Sequence, residues 1–233
     1  MTTPSELPVV GAAGEPDEPY RATFREYVEA IFELHEEGID PIQARIADWL
    51  GVSRASVSEM VRRMEVEGLV DVDRAITLTA EGRHLAEVVV RRHRLAERFL
   101  SEVLGLPWVK VHHEAETWEH MISADVEAAM WRVLGDPKTC PHGNPIPGSG
   151  YRPPRMKPIA AMEDGESGVL ERISEELELE DQTMDFLDRA GLRPGAEVLM
   201  TSRSPHGAFT VVVPDGEPVG LGDFVAQRVF VAV

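Results

Sequence analysis

Cysteine is almost absent from this 233-residue chain: Cys140 stands alone. An intrachain disulfide is therefore excluded, and the usage suits a reducing cytosol. Long apolar runs are missing too. None approaches the roughly 18–20 residues that span a bilayer, so no membrane partner is expected. Residues 1–19 lack the basic start and apolar stretch of a secretory signal, and the simplest placement is cytoplasmic. Basic side chains are scarce, with 23 Lys and Arg against 41 Asp and Glu and a net charge of −18. That balance excludes general affinity for nucleic acid, which draws on cations neutralising phosphates. Contact with DNA would need locally clustered arginine, or charge supplied by a bound metal. What remains is an ordinary globular composition, 43% hydrophobic and 27% charged.

Residues 1–19, rich in Pro, Gly and Glu, read as a disordered leader. From 23 to 37 the apolar residues Phe24, Tyr27, Val28, Ile31, Phe32 and Leu34 keep helical spacing, and Gly38 stops the helix. Asp40-Pro41 starts a second helix over 42–50, and Ser53 caps a third over 54–67. A short hairpin follows, 69–72 and 75–79 around Asp73-Arg74. Three more helices are expected at 83–104, 108–121 and 123–134. Seven prolines between 137 and 158 mark an irregular loop and linker. Beyond it the pattern turns to strands at 168–173, 197–202, 210–213 and 229–233, with one helix at 182–190. A small β-rich barrel of five strands is the expectation there.

Helix, Gly51 turn and helix match a helix-turn-helix, and the hairpin makes it a winged one. Ala44, Ala47 and Leu50 would pack on Val57, Met60, Val61 and Met64. The outward face then carries Ser53, Arg54, Ser56, Ser58, Glu59, Arg62 and Arg63, with Arg74 in the wing. Short hydroxyls can reach phosphates or base edges, and arginines can pair with phosphates. Residues 20–100 hold 12 arginines against 15 acids, so basic character is confined to this face, Arg74, and Arg21 and Arg25 beside the first helix. A winged helix used for protein contacts is the competing reading.

Glu116, Glu119 and His120 fall at i, i+3 and i+4, which share one helical face. Two carboxylates and an imidazole there make half of a divalent metal site; the bland alternative is a solvated acidic face. His93 and Glu97 repeat the i, i+4 spacing upstream, His112 precedes Glu116 by one turn, and Glu26 and Glu29 project from a helix that could lie alongside. Cys140 reads as a small thiol holding its loop, and His35, His84, His113, His142 and His206 as surface or locally bonded residues.

The segments Ala44-Arg45-Ile46-Ala47, Arg63-Met64-Glu65, Gly68-Leu69-Val70, His93-Arg94-Leu95-Ala96-Glu97-Arg98, Trp118-Glu119-His120 and Gly143-Asn144-Pro145-Ile146-Pro147 resemble, in order, the diphtheria toxin repressor family of metal-dependent transcriptional repressors. Gly191 to Val198 is similar, more weakly, to the family's SH3-like domain. The resemblance implies a mostly α N-terminal two-thirds, a winged helix-turn-helix plus a helical dimerisation domain, followed by a small SH3-like barrel. The divisions are 1–19, 20–82, 83–150, a 151–167 linker and 168–233. It also implies two metal sites. Glu26, Glu116, Glu119 and His120 match the primary one, with Glu29 as a further ligand. His93, Glu97 and His112 match the ancillary one, completed from the SH3-like domain by Glu180, or by Asp181 or Gln182. Iron-responsive members carry cysteine and methionine where this chain has Glu116 and Glu26. Hard carboxylates there favour Mn²⁺, which cannot be selected by raw affinity, over softer metals.

The expectation is a Mn²⁺-dependent repressor, a homodimer on palindromic operator DNA, with Leu100, Val103, Leu104, Trp108, Met130, Trp131 and Leu134 available for the dimer interface. An Fe²⁺-dependent repressor of iron uptake genes is the alternative, and no enzyme activity is expected. A two-metal hydrolase and an architectural DNA-binding protein are the readings from other classes.

Overall fold

The computed structural model describes residues 23–204 and 207–232. The leader expected at 1–19, Arg21 and His206 lie outside the described residues. Three helices open the chain: α1 (Arg25–Glu36), α2 (Gln43–Leu50) and α3 (Arg54–Val66). Gly51, at φ 63, ends α2 in the left-handed conformation that favours glycine. Two residues on, Ser53 Oγ accepts from Ser56 N at 3.1 Å and starts α3. The antiparallel wing of β1 (Val70–Val72) and β2 (Ile76–Leu78) follows, with Arg74 exposed in its turn. Phe24, Val28, Ile31, Ile46, Val57, Met64 and Leu69 fill a core beneath these elements.

The long α4 (Ala80–Glu102) begins three residues earlier than the apolar spacing implied, because Thr79 caps it. Thr79 Oγ1 accepts from Gly82 N and donates to Gly68 O at 2.6 Å. Gly82 is required there: a Cβ would stand 1.9 Å from Leu69 O. A 3-10 turn at Trp108–Lys110 leads into α5 (Val111–Trp118), which is shorter than expected, and α6 (Ala124–Leu134) completes the helical part. Leu95, Leu100, Val111, Ala115, Ile122, Met130 and Ile146 form a second core. Leu100 and Met130 are thus buried within the chain, and Trp108 belongs to the C-terminal core, so these three are not free for a partner. Met121 (73% exposed), Val126 and Val133 (63%) are the exposed large apolar residues on and beside α6.

The C-terminal part is a six-stranded antiparallel sheet rather than one of five. It contains β3 (Met156–Pro158), β4 (Ser167–Ile173), β5 (Glu197–Arg203), β6 (Ala208–Val212), β7 (Val219–Gly222) and β8 (Val229–Ala232) in the order β3-β8-β4-β5-β6-β7. Between β4 and β5 lie the one-turn α7 (Glu175–Glu178) and α8 (Asp181–Arg189); α9 (Asp223–Ala226) precedes β8. The 140–147 loop packs on β4. Ile173 N donates to His142 O at 2.9 Å, and Asn144 Nδ2 donates to Ile173 O at 3.0 Å. Gly143, at φ +94, permits the approach, since a Cβ would stand 1.9 Å from Glu171 O. No described helix is long and apolar enough to cross a membrane.

Candidate metal centre and DNA-reading face

Three elements converge on α4. Helix α4 supplies His93 and Glu97, and α5 supplies His112. The 140–147 loop adds Cys140 and His142, and α7 adds Glu175 and Glu178; all seven are buried. Three sets emerge in which one donor atom per residue lies within 4.8 Å of the others: Glu97, Cys140, His142 and Glu178; His93, His112 and Glu175; and Glu29, His93 and Glu119. His93 Nδ1 meets Glu119 Oε2 at 2.6 Å. Its Nε2 meets His112 Nδ1 at 3.1 Å. Glu97 Oε1 lies 3.3–3.6 Å from His142, His112 and His93.

Both Glu97 oxygens, His112 Nε2 and Glu175 Oε2 are buried without a well-formed hydrogen bond. Buried polar atoms are normally paired, so convergent unpaired donors of this kind fit a cation. The electrostatics agree. Burial disfavours charge on His93, His112 and His142, yet the adjoining carboxylates prevail, raising all three and taking His112 up to about 10. Burial opposes the charge on Glu97 as well, but His142, His112 and His93 hold its carboxyl well below the usual range. Imidazole protons here supply the countercharge that a divalent ion would bring, and a ligand set of this type exchanges protons for metal.

A cavity of about 380 Å³ opens outward from this cluster. Glu26, Glu29 and Glu33 of α1 line it, with His93, His112, Glu116, Glu119, His120 and Glu175. Glu119 is buried and aimed at His93, whereas Glu26, Glu116 and His120 are exposed at the rim. Burial, then Glu119, pushes Glu29 up to about 8. Burial and Glu175 raise Glu33 well above its usual value. Acids from α1 and from around α5 therefore face one another across the cavity.

The C-terminal contribution differs from the expectation. Glu180 is exposed at the N-terminus of α8, Gln182 is exposed, and Asp181 Oδ1 accepts from His113 Nε2 at 3.0 Å, outside the cluster. Glu175 and Glu178 take that place because α7 turns them inward after Ser174. Glu178 Oε1 accepts from Asn144 Nδ2 at 2.6 Å, and its Oε2 lies 2.6 Å from His142 Nδ1. His142 is corrected, being buried in the cluster rather than at a surface, and Cys140, which accepts from His142 N at 3.3 Å within its loop, is buried beside it. The signal available was their Cys-x-His spacing. His113 is exposed, but its Nδ1 lies 3.3 Å from Glu116 Oε2, so it tethers Glu116 to Asp181. His35 and His84 are exposed.

On the DNA-reading side, Ser53, Arg54, Ser56, Glu59, Arg62 and Arg63 are exposed along α3, and Ser58 is half-buried. Arg62 donates to Ser58 Oγ at 3.2 Å. Arg63 lies over the Phe24 ring, 5.4 Å from its centroid. Arg25 is buried and not available to phosphate.

Family comparisons agree with this division of labour. Residues 21–75 match the iron dependent repressor N-terminal DNA binding domain, 79–148 its metal binding and dimerisation domain, and 157–233 the FeoA domain. The iron-dependent repressor IdeR of Mycobacterium tuberculosis is 40% identical over 223 residues, covering 87% of this chain and 94% of that protein. The chain belongs to the diphtheria toxin repressor family. Within that family, the diphtheria toxin repressor of Corynebacterium diphtheriae is 40% identical over 215 residues, covering 87% of this chain and 93% of its own. A solved manganese-dependent transcriptional repressor in complex with manganese superposes with a TM-score of 0.82 at 34% identity, over 89% of this chain and 98% of that one. As a diphtheria toxin repressor family member, the chain is a metal-dependent DNA-binding transcriptional repressor with an SH3-like C-terminal domain. Its relatives include both iron- and manganese-dependent proteins.

Proposed function

We propose that this repressor responds to Mn²⁺ and acts as a homodimer on a palindromic operator. The observation that carries the metal assignment is the donor set of the cavity. Glu26, Glu29, Glu116 and Glu119 surround it with His93, His112 and His120, and no sulfur is among the residues lining it. Oxygen-rich, high-coordination sites accommodate Mn²⁺, while thiolate sites draw softer metals. Cys140 lies deeper, and burial followed by Glu97 and Glu178 pushes its thiol up to about 12, so the thiolate is disfavoured there. Glu26, Glu116, Glu119 and His120, with Glu29, would hold one ion. His93, His112, Glu97, Glu175 and Glu178, with His142, would hold the other.

A bound cation supplies countercharge. Acids of α1 and of the α5 region that otherwise repel across the cavity can then approach. Glu26 and Glu29 draw α1, and with it α3, into one position relative to the helical part. Such a shift is limited by the difference in affinity between the two positions. Exposed Met121, Val126 and Val133 would be covered in the dimer, and two copies of α3 would then meet successive major grooves.

Iron is the second reading, favoured by the 40% identical iron-dependent relatives and by Cys140. An operator-binding titration with Mn²⁺, Fe²⁺ and Zn²⁺ against chelator distinguishes them. Binding that appears only with metal, and at the lowest free concentration for Mn²⁺ relative to cellular supply, is expected. Equal binding in chelator would remove the sensor reading, and selective activation by Fe²⁺ would remove manganese.

A further inference from the structure

Helix α3 turns about 100° per residue, and its buried residues Val57, Val61 and Met64 fix the direction it presents. Ala55, Glu59 and Val66 then point outward, within about 30° of the direction opposite that stripe. Arg62 and Arg63 flank them by about 50° on either side. The centre of the DNA-reading face is thus a carboxylate and its arginines are the margins. Glu59 is exposed. Arginines at i+3 and i+4 are the partners that ordinarily engage a glutamate on a helix, and both are present. Each is committed elsewhere, Arg62 to Ser58 Oγ and Arg63 to the Phe24 ring. Among the described residues Glu59 has neither an ion pair nor a side-chain hydrogen bond.

An unpaired carboxylate at the middle of a surface that meets a polyanion lowers affinity for every sequence unless a donor awaits it. The donors on major-groove base edges are the amino groups of cytosine and adenine. Adenine sets its N7 acceptor beside that amino group, which suits an amide and repels a carboxylate. Cytosine offers N4–H₂ without that neighbour. Ala55, one turn earlier, is small enough to let the groove floor come close. We propose that Glu59 is the specificity-determining residue of α3, accepting a hydrogen bond from a cytosine N4 amino group in each half-site.

This rests on the repressor reading above, and the test separates the two. Full-length wild-type, E59A and E59Q proteins, loaded with Mn²⁺, select sites from a random duplex pool, and the selected sites are then measured singly. Glu59 is exposed, so both variants should fold; calorimetric Mn²⁺ binding equal to wild type verifies this. The wild-type motif should hold one C·G pair per half-site whose preference drops roughly tenfold in E59A, with the other positions unchanged. E59Q should move that preference toward A·T. If E59A selects the wild-type motif unchanged and merely binds all sequences more tightly, Glu59 is only a solvated charge and the proposal is overturned. If the wild-type protein enriches no motif with any metal, the repressor reading fails and this proposal fails with it.

Discussion

Glu178 and Glu180 are two residues apart and lead different lives. The first accepts from Asn144 and faces His142 and His112 in the buried cluster; the second is exposed at the start of α8. Loss of a group that holds or orients a metal typically costs 10–100-fold in affinity. Calorimetry should therefore show roughly that loss of Mn²⁺ affinity for Glu178→Ala and almost none for Glu180→Ala; the reverse order would contradict the placement of α7. Glu116→Cys introduces a thiol at the cavity rim. It should raise the response to Zn²⁺ or Fe²⁺ relative to Mn²⁺ by about tenfold in operator titrations, and an unchanged ranking would refute the hard-ligand argument. The residues at 93–120 were legible because each falls on a helical repeat with another ligand type. The C-terminal ones were not. Glu175, Glu176, Glu178, Glu180 and Asp181 form an acidic run with no internal marker, and only the packing of α7 against the 140–147 loop selects two of them. Cys140 and His142 lie in a proline-rich loop without periodicity, where sequence gives no direction to a side chain.

At the scale of elements, the 140–147 loop is the joint between the helical part and the sheet, and Gly143 is where it closes. Gly143→Ala would add a Cβ 1.9 Å from Glu171 O at a φ of +94. Strain and displacement together should cost about 2–4 kcal/mol, a melting decrease of roughly 5–15 °C measurable by calorimetry or circular dichroism. A change under about 1 °C would mean the loop does not pack on β4 as described. The helices of the winged domain and the long α4 were legible from capping residues and apolar spacing. Missing from that reading were β3 and β7, three and four residues long, which are the two edges of the sheet. Edge strands this short carry no full alternation, and β3 lies among prolines that sequence patterns assign to loop.

For the whole molecule, the metal-free charge arrangement sets a pH dependence. Glu29 is pushed up to about 8 by burial and Glu119, and His112 up to about 10, where Glu178 and Glu97 outweigh burial. Both bind protons in the folded state that the unfolded chain has released. Their stabilisation is complete below the unfolded values of 4.5 and 6.5, and it is lost as pH rises through about 8 and about 10. In chelator, the melting temperature should fall by several degrees between pH 6.5 and 9.5, and Mn²⁺ should flatten that fall; a chelated protein that grows more stable over this range would exclude the assignment. The way α1 is mounted carries a further consequence. Arg94 Nη2 holds Glu36 at 2.6 Å, and Arg172 Nη2, from β4, holds Glu37 at 2.9 Å. The opposite end of this twelve-residue helix carries Glu26 at the cavity rim and Phe24 under Arg63 of α3. α1 is thus a lever about 18 Å long, with its fulcrum where it meets the sheet. Phe24 lies farther out along the arm than Glu26, so a displacement of the carboxylate about that anchored end would be passed on to α3.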